Sequence, residues 1–339
     1  MTFYYRPLLS SDAARPSTAQ TLADGWTWFS HVEVLSRSQT PQIVPAADIP
    51  QSVLETLTVP RAPQAGLAWD APRLMGIINT TPDSFSDGGL FHDQKHAIAQ
   101  GISLTSEGAD MLDIGGESTR PGADTVQTQD EIDRTAPVIQ ALSDSTGVPL
   151  SIDTRKSQVA DAAITAGATY INDVAAFTYD PKLADVTAKA GLPCCLMHAQ
   201  GKPKDMQKGP QYDNVLLDVY DFLSDRIDAA VAAGVPRTQI TIDPGIGFGK
   251  TVQHNLTLLR GLALFHALGC PILLGASRKR FIGTITQTEV ASERLLGTAA
   301  ITLHGISQGV QLHRVHDIKP IKQALQMNGA ITGRWAEHG

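Results

Sequence analysis

The sequence has few cysteines and no long apolar run. Three cysteines occur in 339 residues, Cys194, Cys195 and Cys270, and two of them are adjacent. Adjacent cysteines have poor geometry for a mutual disulfide, so we predict that all three are reduced and buried, as in a cytoplasmic protein. No apolar run approaches the roughly 18 residues of a membrane-spanning helix. The N-terminal residues also lack the basic start and apolar stretch of a signal peptide.

Positive charge is also scarce. The chain has 27 Lys and Arg against 34 Asp and Glu, which gives a formal net charge of −7. Nucleic-acid binders usually carry a basic excess or a basic stripe, and this chain has neither. We therefore predict no nucleic-acid partner and no membrane partner. An anionic small molecule stays compatible with this balance, because a pocket can be positive locally.

The residues that are present supply a large core. Hydrophobic residues make up 42% and charged residues 18% of the chain, which is typical of a globular protein. Near the N-terminus, residues 6–23 are polar and irregular in pattern, and residues 26–35 (WTWFSHVEVL) predict a strand. Residues 49–57 favour a short helix with Asp48 as its N-cap.

Short apolar runs recur after residue 72. Eight of them begin near Leu74, Met111, Leu150, Tyr170, Cys194, Ile240, Ile272 and Leu312. Each is too short for a helix and suits a strand buried on both faces, whereas the stretches between them favour helices. The clearest helical stretches are residues 94–107, 158–166, 216–233 and 292–306. This alternation predicts a parallel sheet.

Eight strand–helix units of this size match a TIM (β/α)8 barrel. A doubly wound open sheet is the alternative. It usually carries a GxGxxG fingerprint after its first strand, and residues 78–88 contain none. We therefore predict an α/β fold in which residues 1–70 form a small β-containing extension that packs on a TIM barrel of residues 71–339.

Polar side chains end the predicted strands. In chain order they are Asn79, Asp113, Asp153, Asn172 with Asp173, Met197 with His198, Asp243, Ser277 with Arg278 and Lys279, and Arg314 with His316. An Asp or Asn after a strand is often only the N-cap of the next helix. Helix capping is a less satisfactory explanation when all eight predicted strands end in this way. In a barrel they converge on the rim that carries active sites, so we predict the site there.

The rim combines two kinds of chemistry. Its acceptors suit a flat heterocycle with several N–H groups, because buried donors need partners; they are Asp113, Asp153, Asn172 and Asp243. Its cations and donor suit a phosphate or pyrophosphate; they are Lys279, Arg278, Arg314 and His316. Lys250, after a glycine-rich turn, could serve either end or be structural.

Asn79 offers an oxygen that could hold Mg²⁺ beside a pyrophosphate, since Mg²⁺ commonly takes one or two protein oxygens and completes its shell with water and phosphate. A capping or turn role for Asn79 is equally compatible with its position. Zinc motifs are absent, because the cysteines lack CxxC spacing and the histidines lack HExxH spacing. Residues 245–251 (GIGFGKT) have the wrong glycine spacing for a Walker A loop.

Seven motifs together resemble the dihydropteroate synthase family. In order they are residues 79–89 (NTTPDSFSDGG), 115–123 (GGESTRPGA), 151–155 (SIDTR), 172–173 (ND), 243–250 (DPGIGFGK), 277–279 (SRK) and 314–316 (RVH). The match covers essentially all of residues 73–320, and seven ordered motifs are far more specific than one. The chain departs from the family pattern at Arg280, which follows SRK where Ser is common.

The resemblance implies a role for each rim residue. Asp113, Asp153, Asn172, Asp243 and Lys279 would hold a pterin ring, with Met197 packed on its face. Arg314 and His316 would bind the pyrophosphate of the substrate, and Asn79 would ligate Mg²⁺ as the cofactor. The para-aminobenzoate site would be shaped by two loops and by neighbouring side chains, namely Phe85, Asp87, Thr119, Arg120, Pro121, Phe248, Ser277 and Lys279.

The implied reaction is a transfer that joins 6-hydroxymethyl-7,8-dihydropterin pyrophosphate to para-aminobenzoate. Lys279, Arg314 and His316 would assist departure of pyrophosphate, and Asp87 would stabilise the positive pterin methylene left behind. The enzyme alternative is a pterin-binding methyltransferase domain, which has less reason to keep both SRK and RVH. A non-catalytic pterin-binding paralogue is a further alternative. The family also implies a homodimer, and the 292–306 stretch could supply its face.

Overall fold

Two separate sheets organise the fold. The computed structural model describes residues 2–80, 89–118, 124–201 and 209–333, with backbone alone for residues 89–93. A four-stranded antiparallel sheet occupies the N-terminal part, and an eight-stranded parallel sheet follows it. The predicted α/β barrel with a small β-containing extension is thereby confirmed.

The N-terminal sheet is built around one central strand. This strand, β3 (Trp28–Leu35), pairs with β1 (Tyr4–Ser10) on one edge, and with β2 (Gln20–Thr21) and β4 (Gln42–Pro45) on the other. The strand predicted at 26–35 is confirmed as β3. The prediction that residues 6–23 are irregular is wrong at the start of this range. Strand β1 forms there because it pairs with β3, although its own sequence pattern is weak.

The predicted helix after this sheet is present, but its cap differs. Helix α1 (Gln51–Thr58) begins after Pro50, which occupies the N-cap position. Asp48 instead ends a preceding 3₁₀ turn, Ala46–Asp48. The prediction of Asp48 as the N-cap is therefore wrong, because the extra turn places it ahead of the helix.

The extension packs beside the barrel and beneath it. Tyr4 Oη donates to Asp221 Oδ2 at 2.9 Å on a barrel helix, and Trp26 Nε1 donates to the Ile306 carbonyl at 2.8 Å. The connecting segment then crosses the bottom of the barrel. There Gln64 Oε1 accepts from Thr241 Oγ1 at 2.6 Å, and Trp69 packs against the interior side chains. Both a lateral contact and a bottom contact therefore hold the extension.

All eight predicted barrel strands are confirmed. They are β5 (Arg73–Asn79), β6 (Met111–Gly115), β7 (Leu150–Asp153), β8 (Tyr170–Asp173), β9 (Cys194–Met197), β10 (Ile240–Asp243), β11 (Leu273–Leu274) and β12 (Leu312–Val315). Strands β5 to β10 pair in sequence order, β12 pairs with β5, and β11 pairs with β12. A parallel bridge between Ile242 and Ile272 joins the two ends of the sheet, so the barrel closes.

Helices surround the barrel. They are α2 (Gly89–Ser106), α3 (Thr128–Ser145), α4 (Ser157–Thr165), α5 (Lys182–Ala190), α6 (Val215–Ala232), α7 (Val252–Arg260), α8 (Arg280–Thr286), α9 (Leu295–Ser307) and α10 (Ile318–Ile331). The four predicted helical stretches correspond to α2, α4, α6 and α9. Within the described parts of the chain, no helix is both long enough and apolar enough to span a membrane.

The lower half of the barrel interior is an apolar plug. It consists of Trp69, Met75, Met111, Tyr170, Cys195, Leu273 and Leu312, all at most 4% exposed. Successive side chains of a strand point to opposite faces, so the next inward residue on each strand lies one layer higher. The plug therefore supports a second layer at the carboxyl ends of the strands.

Candidate active site

The second interior layer is polar. On several strands it lies two residues beyond the plug, and it contains Asp113, Asp153, Asn172, Met197, Asp243 and Arg314. The first five are buried, and the Arg314 side chain is 22% exposed. The alternation of the strands thus brings together residues spread across the sequence. All of them are among the predicted pterin and pyrophosphate residues.

Asp113 is the hub of this layer. Its Oδ1 accepts from Ser151 Oγ at 2.6 Å, and its Oδ2 accepts from Asn172 Nδ2 at 3.1 Å and from Arg314 Nε at 2.5 Å. Arg314 Nη2 donates to Asp153 Oδ2 at 2.8 Å. Within the described residues, Nη1 of Arg314 makes no such bond, so one end of the guanidinium remains available to an anion.

Burial and charge set the protonation of the two other carboxylates. Burial raises the pKa of Asp153 to about 7, although the Arg314 cation opposes the rise and Asp113 adds to it. Burial also raises the pKa of Asp243, against the Lys279 cation and the Gly245 amide. A ligand that donates N–H groups would compensate these buried acceptors.

A glycine-rich turn after β10 forms one wall. Asp243 Oδ1 accepts from the Gly245 amide at 2.7 Å, and Lys279 Nζ donates to the Ile246 carbonyl. Lys279 Nζ also lies 4.3 Å from the centre of the Phe248 ring, within cation–π range. Gly247 has φ +85°, and a Cβ there would approach Lys279 Cδ to 2.9 Å. Glycine at this position therefore lets the turn and the lysine side chain lie together.

Burial and neighbouring charges have opposing effects on the pKa of Lys279. Burial lowers its pKa to about 8, while Asp243 opposes the decrease and Arg314 adds to it. The amine consequently changes charge closer to neutral pH than an ordinary lysine does.

Lys250 supports the glycine-rich turn through hydrogen bonds. It is buried, and its Nζ contacts His198 Nδ1 at 2.8 Å, the Phe248 carbonyl at 3.0 Å and the His198 carbonyl at 3.3 Å. These contacts tie the turn to the end of β9. Burial lowers the pKa of Lys250 far below its usual range. Of the roles that the sequence allows for Lys250, its contacts match the structural one.

The end of β11 continues the wall. Ser277 Oγ lies 3.0 Å from His316 Nδ1 and accepts from the His316 amide at 3.2 Å. Arg278 Nε donates to Asp317 Oδ2 at 2.9 Å. Of the predicted cations, Arg278 is therefore paired outside the polar layer. Arg280 is exposed at the start of α8.

Asn79 ends β5 with an exposed side chain. The next residue, Thr80, is fixed to strand β6 through its amide, which donates to the Gly115 carbonyl at 2.9 Å. No group of three His, Cys, Asp or Glu side chains suited to a metal ion occurs in the described ranges. A single amide oxygen fits a cation that takes most of its ligands from phosphate and water. The predicted residues Phe85, Asp87, Thr119, Arg120 and Pro121 lie outside the described residues.

Sequence reasoning missed a buried ionic network beside the site. Glu117 Oε2 accepts from Arg155 Nε at 2.9 Å, and Lys156 Nζ donates to Glu131 Oε2 at 2.6 Å and to Glu117 Oε1 at 3.3 Å. Two of these four residues lie within recognised motifs, Glu117 in GGESTRPGA and Arg155 in SIDTR. Charged residues directly after buried strands were the available signal.

Asp173 does not cap the next helix, α5, whose N-cap is Pro181. Its two oxygens accept from the amides of Ala175 at 2.8 Å and Phe177 at 2.6 Å. Burial raises its pKa to about 6, against these two amide donors. It therefore stabilises the turn after β8.

Known proteins resemble this chain in sequence and fold. Residues 75–316 match the family model of pterin binding enzymes. Dihydropteroate synthase of Synechocystis sp. is 44% identical over 258 residues, which covers 76% of this chain and 89% of that protein. Two solved structures of Xanthomonas albilineans dihydropteroate synthase are similar as well. The one with 4-aminobenzoic acid has a TM-score of 0.75 and 46% identity, covering 79% of this chain and 96% of its own. The one in complex with 7,8-dihydropteroate has a TM-score of 0.71 and 43% identity, covering 78% and 95%. The chain therefore belongs to the pterin-binding enzymes, and within them to the dihydropteroate synthase family.

Proposed function

We propose that the chain condenses 6-hydroxymethyl-7,8-dihydropterin pyrophosphate with para-aminobenzoate and releases 7,8-dihydropteroate and pyrophosphate. The observation that carries this proposal is the polar layer at the mouth of the barrel. Buried acceptors and the cations Lys279 and Arg314 meet there, in a chain of the dihydropteroate synthase family. One set of groups suits a pterin, and the other suits its pyrophosphate.

The pterin occupies the polar layer. Asp153, Asn172 and Asp243 present acceptors to the N–H and NH₂ groups of the ring, and Met197 packs on its face. Asp113 lines the same pocket and accepts from Ser151, Asn172 and Arg314, so it also orients Asn172 and Arg314 toward the ring. This arrangement supports the assignment, because a flat donor-rich ring needs several fixed acceptors in one plane.

Pyrophosphate leaves from the open side of the layer. The carbon–oxygen bond of the pterin methylene breaks, and its electron pair goes to the pyrophosphate. Lys279, His316 and the Nη1 end of Arg314 neutralise the growing negative charge. Asn79 would hold Mg²⁺, which would supply further positive charge to the leaving group.

The arylamine then attacks the methylene. Its nitrogen forms the new carbon–nitrogen bond and releases one proton to solvent. Asp87 stabilises the positive charge on the pterin methylene before the attack. Phe248 and Ser277, with Phe85, Thr119, Arg120 and Pro121, shape the para-aminobenzoate site. The contacts of Phe248 with Lys279 and of Ser277 with His316 support a para-aminobenzoate site next to the pyrophosphate groups.

A substrate-dependence assay tests the function. The purified chain is mixed with the pterin pyrophosphate, para-aminobenzoate and Mg²⁺, and both pyrophosphate and dihydropteroate are measured. We expect equal amounts of the two products, and neither without para-aminobenzoate. Pterin binding without any pyrophosphate release would indicate the non-catalytic paralogue. Methyl transfer from a methylated pterin would indicate the methyltransferase alternative.

We also propose that the chain forms a homodimer and works in the cytoplasm. Helices α9 and α10 contact each other and carry exposed apolar side chains, among them Leu296, Met327 and Ile331. Exposed apolar side chains on two neighbouring helices suit an interface between two copies of the chain. All three cysteines are free and buried, which suits a reducing compartment.

A further inference from the structure

One peptide unit of the glycine-rich turn is held at both of its ends. The amide of Gly247 donates to Asn255 Oδ1 at 2.7 Å, and the carbonyl of the preceding Ile246 accepts from Lys279 Nζ. These two backbone groups belong to the same planar peptide unit, which is trans. Because the N–H and C=O of a trans peptide point in opposite directions, an acceptor that fixes the N–H also fixes the direction of the carbonyl.

The orientation of the Asn255 side chain is itself fixed. Asn255 is 2% exposed and lies in the first turn of α7. Its Nδ2 donates to the Thr251 carbonyl at 2.8 Å, and the Thr251 side chain caps the helix by accepting from the His254 amide at 3.1 Å. A flipped side-chain amide would place a donor against the Gly247 N–H and an acceptor against the Thr251 carbonyl. The oxygen of Asn255 therefore faces the glycine-rich turn.

The peptide unit that Asn255 holds precedes a glycine with positive φ. Gly247 has φ +85°. Glycine adopts positive and negative φ with similar ease, so a peptide unit before a glycine can reverse its direction with little change elsewhere in a turn. Reversal here would turn the Ile246 carbonyl away from Lys279 and would leave an N–H donor facing the amine. The acceptor on Asn255 stabilises the observed direction against this reversal.

The rest of the turn has attachments of its own. They are Asp243 Oδ1 with the Gly245 amide at 2.7 Å, Lys250 Nζ with the Phe248 carbonyl at 3.0 Å, and Tyr212 Oη with the Gly249 carbonyl at 2.8 Å. Asn255 differs from these three side chains, because it contacts the peptide unit whose carbonyl faces Lys279. Loss of its side chain should therefore alter that unit and leave the turn as a whole in place.

The Ile246 carbonyl is one of several groups around the Lys279 amine. Burial lowers the pKa of Lys279 to about 8, Asp243 and Asp153 oppose the decrease, and Arg314 adds to it. A carbonyl that accepts from the amine also favours its charged form. The direction of this carbonyl therefore affects both where the amine lies and whether it is charged.

We propose that Asn255 is a positioning residue for Lys279. It holds the peptide unit between Ile246 and Gly247 so that the carbonyl accepts from the amine, and it thereby keeps the amine beside Asp243 at the mouth of the barrel. This inference rests on the proposed function, in which Lys279 neutralises the pyrophosphate of the substrate.

Asn255→Leu tests the inference, because leucine has a similar volume and no acceptor for the Gly247 amide. We expect the Kd of the pterin pyrophosphate, measured by calorimetry at neutral pH, to rise about tenfold, the size typical for loss of a charge-assisted hydrogen bond. Asn255→Asp keeps an acceptor for the Gly247 amide, so its Kd should stay within about threefold of that of the unmodified chain.

The pH dependence of this Kd reports on Lys279. In the unmodified chain, affinity for the anionic substrate should fall as pH rises through about 8, where the amine loses its proton. In Asn255→Leu the midpoint of this fall should move down by about one pH unit, because the charged amine has lost an acceptor. An asparagine that only stabilised the fold would not move the midpoint.

A second substitution, Lys279→Met, supplies the decisive comparison. If Asn255 acts through the amine, Asn255→Leu should change the Kd by less than about twofold in a chain that already carries Lys279→Met. Tyr212→Phe is the matched control. It removes the 2.8 Å hydrogen bond to the Gly249 carbonyl of the same turn, and it should leave the Kd and its pH midpoint unchanged.

Three results would overturn the inference. One is an unchanged Kd or an unmoved pH midpoint in Asn255→Leu. Another is a loss of affinity that persists in full when Lys279 is already methionine. The third is an equal loss in Tyr212→Phe, which would show that the turn responds as a whole. Should Asn255→Leu not fold, the smaller Asn255→Ala takes its place, and failure of both to fold would show a purely structural residue. Failure of the proposed function is distinct, because it would show as an unmodified chain that forms no dihydropteroate.

Discussion

Arg314 Nε lies 2.5 Å from Asp113 Oδ2, although 201 residues separate the two along the chain. This contact connects the last strand of the barrel to the second. Nearby Asp113 and Asp153 raise the pKa of Arg314 despite its burial, so the guanidinium stays charged. Arg314, which is expected to bind the pyrophosphate, thus also belongs to the layer of acceptors. It therefore connects the pterin part of the site to the pyrophosphate part.

Asp243→Asn is expected to weaken pterin binding about thirtyfold, because loss of a charge-assisted hydrogen bond to a buried donor costs roughly 2 kcal/mol. Calorimetry with the pterin pyrophosphate measures this change. The exposed Asp161→Asn on α4 is the control and should bind normally. Unaltered affinity in Asp243→Asn would show that the pterin does not bind at Asp243.

Asn79→Ala should weaken the Mg²⁺ dependence of turnover and leave folding intact. The side chain is exposed, and exposed substitutions usually change stability by less than about 0.5 kcal/mol. A titration of the rate against Mg²⁺ should show a higher half-saturating concentration. Asn79→Asp keeps an oxygen ligand and should retain the dependence. An unchanged titration in the alanine variant would show that Asn79 does not bind Mg²⁺.

Asp153 should make stability depend on pH. Its folded pKa of about 7 lies above the ordinary value of 3.8. The folded state therefore binds more protons between these values, and the contribution of Asp153 is fully present below about 4 and is lost as pH rises through 7. The melting temperature of the wild type minus that of Asp153→Asn should fall as pH rises from about 4 to about 7. A pH-independent difference for Asp153→Asn would mean that its pKa is ordinary.

Lys250→Met is expected to lower stability by about 2–4 kcal/mol, because buried acceptors on His198 and Phe248 lose their donor. Denaturant unfolding measures the change. A matched Lys189→Met on the surface of α5 should have little effect. Stability equal to the wild type would show that the three contacts of Lys250 contribute nothing net.

Leu296→Glu should convert the proposed dimer to a monomer. Leu296 is 83% exposed on α9, so the substitution leaves the core intact. Sedimentation equilibrium at several concentrations measures the mass. Ile43→Glu places the same charge on an exposed apolar residue of β4 and should not change it. A wild-type chain that is monomeric at all concentrations would refute the dimer directly.

Much of the barrel follows from local sequence. Runs such as 150–153 and 194–197 are short, apolar and flanked by helical stretches, so a buried parallel strand is the only regular structure that suits them. The N-terminal part was less predictable. Strand β1 depends on pairing with β3, and the 3₁₀ turn before α1 shifted the helix start past Asp48.

The sequence by itself determined the eight strands and the polar residue at the end of each, because strand length, burial on both faces and side-chain alternation are local properties. Only the tertiary structure decided which polar residues meet. Barrel closure and strand register brought Arg314 to Asp113, and the fold around β7 brought Lys156 to Glu131. The energy of such contacts exists only once distant segments are buried together, so no local pattern encodes them.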